Sequence, residues 1–186
     1  MFSTTGNTEA TKTTSWKVVL PFYGYAAIAF LIATILLLFS ASDITSHYFL
    51  PHTLAIIHIM ALGWGTMMIL GASHQLVPVL IEGKLYSNKL AYASFTFAAI
   101  GIPLLVNGFY VFNMGLHTQC GGILIILALI TYLINLAISM VKSKHENVHA
   151  FFIFTAALWL LATAIVGLLL LYNFTEPLLP KGSLNY

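Results

Sequence analysis

The stretch PHTLAIIHIMALGWGTMMILGASHQLVP, residues 51–78, decides how this chain is built. It is long and apolar enough to cross a lipid bilayer as one helix, since a span needs about 20 mostly apolar residues. It nevertheless carries three histidines, His52, His58 and His74. An imidazole in hydrocarbon is costly unless the protein uses it, so a histidine inside this stretch is a candidate functional residue.

The composition of the whole chain agrees with a membrane protein. Of its 186 residues, 60% are hydrophobic and only 6% are charged, whereas soluble domains carry about 25% charged residues. A formal net charge of +2 argues against nucleic-acid binding. The single cysteine, Cys120, cannot form an intrachain disulfide, and there is no Cys-x-x-Cys-His motif for covalent haem attachment. These observations exclude a soluble globular domain.

Five apolar segments are long enough to span a bilayer. They cover approximately residues 18–40, 52–79, 90–112, 117–141 and 148–172. Because the linkers are short, we expect consecutive helices to run antiparallel in one bundle. The predicted fold class is an all-α integral membrane protein, with a five-helix transmembrane domain over residues 17–174. The N-terminal residues 1–16 lack the layout of a cleavable signal peptide and are expected to form a disordered cytoplasmic tail. Residues 175–186 are expected to form an outer tail.

The lysines orient the bundle. They occur before the first helix, between helices two and three, and between helices four and five, at Lys12, Lys17, Lys84, Lys89, Lys142 and Lys144. The two opposite linkers contain none, and the C-terminal tail contains only Lys181. The positive-inside rule therefore predicts a cytoplasmic N-terminus and an external C-terminus.

His58 is the strongest candidate ligand. At α-helical spacing its face continues through small and apolar residues, namely Ala61, Leu62, Gly65, Ile69 and Ala72. The small residues leave room for a large flat group or for another helix. A porphyrin needs an imidazole nitrogen for its iron and an apolar wall for its ring. The alternative is close helix packing through the small residues, with His58 hydrogen-bonded to a neighbour.

The other histidines have simpler interpretations. His74 would point about 160° away from His58 and lie about 24 Å lower, so the two cannot share a metal ion. We expect His74 to be an interfacial or helix-end residue. His117 begins helix four on the same side as His58 and is the best candidate within the chain for a second axial ligand, although an ordinary interfacial histidine is the alternative. His145 and His149 have the i, i+4 spacing of metal ligands, but a solvated loop is the favoured interpretation.

Several residue patterns are missing from the predicted spans. No aspartate or glutamate lies within them, which argues against a carboxylate proton relay across the membrane. No three histidines lie at one depth, which argues against a copper site beside a haem.

Helix two resembles the second helix of subunit I of haem–copper oxidases and their nitric-oxide-reductase relatives. The matching residues are His58, Ala61-Leu62-Gly63-Trp64, Gly71 and Leu76-Val77-Pro78. In that family the histidine six residues before the tryptophan ligates a low-spin haem near the outer face, so the resemblance implies that role for His58. Many relatives carry a further histidine at the position of Ile56. The resemblance covers about 30 residues closely, and the family's other haem and copper ligands come from helices beyond the length of this chain.

These observations together predict a haem-binding protein of the bacterial cytoplasmic membrane. Its b-type haem would be held non-covalently by the site residues His58, Ala61, Gly65 and His117, with His58 as the metal ligand. It would transfer electrons or bind a diatomic gas, and it would be oxidoreductase-like without being a complete oxidase or nitric oxide reductase. Expected partners are the lipid bilayer, a second protomer or other respiratory membrane subunits. The alternative is a haem-free bundle that acts as an assembly partner or as a carrier of a small solute or metal, with its glycines used only for packing.

Overall fold

A computed structural model describes residues 14–44, 49–143 and 148–176. Within those ranges the regular structure is entirely helical. Five helices are long and apolar enough to cross a membrane, which confirms the predicted fold class. They are α1 (Trp16–Phe39), α2 (Pro51–Leu80), α3 (Asn88–Tyr110), α4 (Leu116–Val141) and α5 (Val148–Asn173). One further helical turn, Ala41–Ile44, follows α1.

The lysine-bearing segments that are described meet at one end of the bundle, which we call the lysine end. Ser143 Oγ, after α4, donates a hydrogen bond of 2.7 Å to the carbonyl of Ile81, after α2. The ammonium group of Lys142 lies 4.4 Å from the ring centroid of Tyr86, in the α2–α3 linker. The antiparallel arrangement is thereby confirmed, because α2 and α4 end together at the point where α3 begins. Which side of the membrane this end faces stays a prediction.

The opposite end carries a cluster of phenylalanines, and we call it the aromatic end. Phe49, before α2, stacks on Phe174, after α5, with ring centroids 5.9 Å apart. Phe112, after α3, meets both rings edge-on. Phe112 has a φ of 52°, a left-handed conformation that costs a non-glycine residue about 1–2 kcal/mol. Its contacts in the cluster help to offset that cost.

The helices are packed unevenly. A Cβ on Gly101 of α3 would lie 2.8 Å from the carbonyl oxygen of Gly121 on α4, so these two backbones approach as closely as small residues allow. By contrast, α5 is the least buried of the five helices. Its described buried residues are Ala150, Ala157 and Leu171. This peripheral position matters because α5 forms one wall of the candidate site.

Pro78 leaves one backbone carbonyl near the end of α2 without its helical hydrogen bond. Proline has no N–H, so the carbonyl four residues earlier, that of His74, loses its usual helical partner. The hydroxyl of Thr14, just before α1, donates a hydrogen bond of 2.6 Å to that oxygen. The beginning of α1 is thereby fastened to α2 at the lysine end.

Candidate functional site

The middle of α2 is not an ordinary α-helix. Residues Ile59–Thr66 form a π-helix, in which hydrogen bonds span five residues. Thr66 Oγ1 donates to the carbonyl of Ala61, five residues earlier, at 2.9 Å. The prediction of uninterrupted α-helical spacing through this segment was therefore wrong. The angle around the helix axis between residues on either side of it differs from the angle that an α-helix would give. Such segments occur frequently at functional sites.

His58 is the residue immediately before the π-helix. Its Nδ1 lies 2.7 Å from the carbonyl oxygen of Leu54. A carbonyl can only accept a hydrogen bond, which assigns the proton to Nδ1 and leaves a lone pair on Nε2. The ring stacks against Phe109 of α3, with centroids 4.1 Å apart. The imidazole is therefore held in one tautomer and orientation, in the way that a backbone carbonyl orients metal-ligating histidines.

His58 lines a cavity of about 250 Å³ that is bounded by α2, α3, α4 and α5. The lining is almost entirely apolar, and its other polar side chain is that of Thr163 on α5. The Thr163 hydroxyl donates to the carbonyl of Trp159 at 2.9 Å. Two glycines belong to the lining: Gly167 of α5 faces open space, whereas a Cβ on Gly122 of α4 would lie 2.7 Å from Cδ1 of Leu168 on α5. Among the lining residues, His58 alone carries a ring nitrogen.

The structure brings the predicted site residues together only in part. Ala61 lines the cavity with His58. Gly65 lies within the π-helix and is not part of the lining; hydrogen bonds that span five residues change which residues share a face with His58. His117 is exposed in the first turn of α4 and is not part of the lining either. The sequence interpretation missed the role of Phe109, since an aromatic residue on another helix looks like ordinary packing in a sequence.

The glycines of the motif face a different neighbour. A Cβ on Gly63 would lie 2.8 Å from the Cβ of Ala29 on α1, and one on Gly71 would lie 3.0 Å from the Cβ of Phe22. Both glycines therefore allow α1 to pack closely against α2. The motif that resembles subunit I thus contributes to two sides of α2, one lining the cavity and one packing against α1.

His74 was expected to be an interfacial or helix-end residue; it does lie near the end of α2, where it is buried among the neighbouring helices. Only 1% of its surface is exposed, because α1 and α4 both pack over this part of α2. Its ring lies 5.1 Å from that of Phe22 and 5.2 Å from that of Tyr132, measured between centroids. Its Nδ1 lies 2.7 Å from the carbonyl oxygen of Leu70, and its buried Nε2 has no hydrogen-bond partner.

The remaining candidate ligands give no metal site in the described ranges. His145 lies outside the described residues, so its spacing from His149 stays untested. His149 is exposed in the first turn of α5. Across residues 14–44, 49–143 and 148–176, no three histidine, cysteine, aspartate or glutamate residues are close enough to hold a metal ion. The candidate ligand at the cavity is thus the single imidazole of His58.

No protein-family model matches the chain, and no match was found among curated proteins or solved structures. The likeness to subunit I of the haem–copper oxidases therefore depends on the residues of α2.

Proposed function

We propose that this chain binds a b-type haem non-covalently in the membrane, with Nε2 of His58 as an axial ligand. One observation carries the proposal: His58, whose Nδ1 is engaged by the carbonyl of Leu54 so that Nε2 keeps its lone pair, lines an apolar cavity. The position of His58 in the motif that resembles subunit I supports the same role.

The residues around the cavity have the chemistry that a haem needs, but the cavity itself is too small to hold one without rearrangement. The ring of Phe109 and the small residue Ala61 supply the smooth apolar wall that a porphyrin needs. The volume of about 250 Å³ is below the roughly 300–1,000 Å³ of typical sites for drug-sized ligands. The additional space would come from α5, the least buried of the helices around the cavity. Haem binding on this proposal displaces α5 outward.

The same geometry favours gas binding over electron transfer. An iron with two histidine ligands is suited to electron transfer, whereas an open axial position favours a ligand such as a diatomic gas. His58 is the single histidine of the cavity lining, and His117 is exposed elsewhere. The second axial position is therefore proposed to be open to a gas. Carbon monoxide added to the reduced protein should then shift the Soret band, and an unshifted band would show that a second strong ligand fills the position.

The decisive experiment is a haem measurement on detergent-purified protein. The wild type should show a Soret band and reduced α and β bands. His58→Ala should lose essentially all haem, and His117→Ala should retain it. Adding free imidazole to His58→Gly should restore binding, which separates a lost ligand from a misfolded protein. Equal haem content in His58→Ala and wild type would refute the assignment.

A second candidate function is a haem-free bundle that acts as an assembly partner or as a carrier of a small solute or metal. The close contacts of Gly63 and Gly71 with α1 favour it, because they give part of the motif a purely structural role. A colourless wild-type protein, even when produced with excess haem, would select this candidate.

We infer further that the protein resides in the cytoplasmic membrane of a bacterium with its lysine end inside, beside other respiratory membrane subunits or a second protomer. The shared position of Lys17, Lys84, Lys89 and Lys142 at one end of the bundle supports this orientation. Single cysteines placed at residues 5 and 183 of a Cys120→Ser variant should react with a membrane-impermeant thiol reagent from opposite sides. Labelling from the same side would contradict the topology. We do not expect the chain alone to reduce oxygen or nitric oxide, since that chemistry needs a second redox metal.

A further inference from the structure

A second and larger cavity lies on the other side of α2. It has a volume of about 660 Å³ and is bounded by α1, α2 and α3. Neighbouring residues separate it from the His58 cavity: Ile59 faces this side, and so does Tyr110, whereas His58 and Phe109 face the other. We call it the α1–α3 cleft. Nothing in the proposed function makes use of it.

Three polar side chains line the cleft, those of Tyr25, Asn107 and Tyr110, and no charged residue does. Pro103 of α3 removes the N–H that would have bonded to the carbonyl of Ala99. The hydroxyl of Tyr25 donates to that carbonyl at 3.4 Å and still has lone pairs with which to accept. The polar groups of the cleft are therefore two phenols and one amide, all uncharged.

These groups are distributed along the depth of the membrane. Tyr110 is the last residue of α3, and Asn107 lies about 5 Å before it along the helix axis. Ala99, which marks the level of Tyr25, lies about 12 Å below Asn107. The wall between these levels is apolar and includes Ile32, Ile102 and Val106. The cleft is thus polar at the aromatic end and apolar along its length, and the phenol of Tyr25 lies deeper, at the level of Ala99.

We propose that the α1–α3 cleft binds a neutral membrane amphiphile, a lipid-soluble molecule with an uncharged hydroxyl or carbonyl head group and an apolar body. The head group lies at Asn107, because a primary amide can both donate to and accept from such a group. A charged head group is disfavoured, since no charged side chain of the lining could pair with it. The volume is within the range of sites for small ligands. The proposal does not depend on haem binding at His58.

The test uses a photoreactive long-chain alcohol on the purified full-length chain, followed by mapping of the labelled residues. Label should concentrate on residues of the cleft, and the unmodified alcohol should compete for it better than the carboxylate of equal length. Asn107→Leu should reduce this labelling by about fivefold, the effect of one lost hydrogen bond. Ile32→Trp should reduce it further by filling the cleft.

The controls are Thr96→Val and Ile100→Trp, which change exposed residues of α3 outside the lining and should leave the labelling unchanged. All four substituted residues are exposed on the surface of the bundle, so we expect each variant to fold. If Asn107→Leu, both controls and the wild type are labelled equally, the labelling reflects ordinary contact with lipid and the proposal is overturned. Preference for the carboxylate would refute the neutral head group. Efficient cross-linking between two chains through Asn107→Cys in native membranes would show that a second copy covers the cleft.

Discussion

His58 and His74 occupy the same helix and have the same local geometry, but they lie in opposite surroundings. Each places Nδ1 at 2.7 Å from the carbonyl oxygen four residues earlier, and each therefore has its lone pair on Nε2. His58 borders a cavity of about 250 Å³. His74 is enclosed by Phe22 and Tyr132, and the small void beside it has no room for a water molecule.

The comparison shows that the backbone of α2 sets the tautomer of a histidine, whereas the neighbouring helices decide what its free nitrogen can reach. At the lysine end, α1 and α4 both cover α2, and the hydroxyls of Ser73 and Tyr132 are hydrogen-bonded to each other beside His74. On the His58 side, α3 covers the ring through Phe109, and the far wall of the cavity is α5, which is the least buried of the five helices. The neighbouring helices therefore leave a cavity beside His58, whereas beside His74 they leave only a void too small for water.

The largest difference is expected when each histidine is truncated. His74→Ala should lower the free energy of unfolding by about 2–4 kcal/mol, because it removes a fully buried ring from between two aromatic neighbours. His58→Ala only enlarges an existing cavity, and we expect it to cost about 1 kcal/mol or less. Thermal unfolding in detergent, followed by circular dichroism, measures both. A less stable His58→Ala than His74→Ala would contradict the comparison.

Adding a methyl group should change the free energy of unfolding in opposite directions at Gly63, where α2 meets α1, and at Gly167 on α5. A Cβ on Gly63 meets Ala29 at 2.8 Å, so Gly63→Ala should destabilise the protein by about 1–3 kcal/mol through overpacking. Nothing lies within 4 Å of a Cβ on Gly167, so Gly167→Ala should stabilise it by up to about 1 kcal/mol through helix propensity. The same unfolding assay measures both variants, and destabilisation by Gly167→Ala would show that α5 packs more closely than described.

The smallest effect concerns the carbonyl of His74 that Pro78 leaves without a helical partner. Thr14→Val removes the hydroxyl that bonds to it and should cost about 1 kcal/mol. In a Pro78→Ala background the helix supplies its own N–H, so the same substitution should cost nearly nothing. A double-mutant cycle measures this coupling, and full additivity of the two substitutions would mean that the hydroxyl does not serve the orphaned carbonyl.

Of the residues that line the candidate site, the sequence pointed most directly to His58. His58 could be identified because a histidine in an apolar span is exceptional whatever surrounds it. Gly65 is not part of the cavity lining, since the π-helix changes which residues share a face, and nothing in the composition of the segment distinguishes a π-helix from an α-helix. Placing His117 at the site assumed that a shared side of the membrane brings residues together, and the arrangement of the helices does not do so.

The sequence by itself determined the five spans, the antiparallel order of the helices and the candidate ligand His58. Each of these depends on a local property: a run of apolar residues, a short linker, or a polar residue inside such a run. Only the tertiary structure decided that His74 is buried, that His58 meets Phe109, and that α5 leaves a cavity beside them. Those outcomes depend on contacts between residues far apart in the chain, and hydropathy carries no information about which helix faces which neighbour.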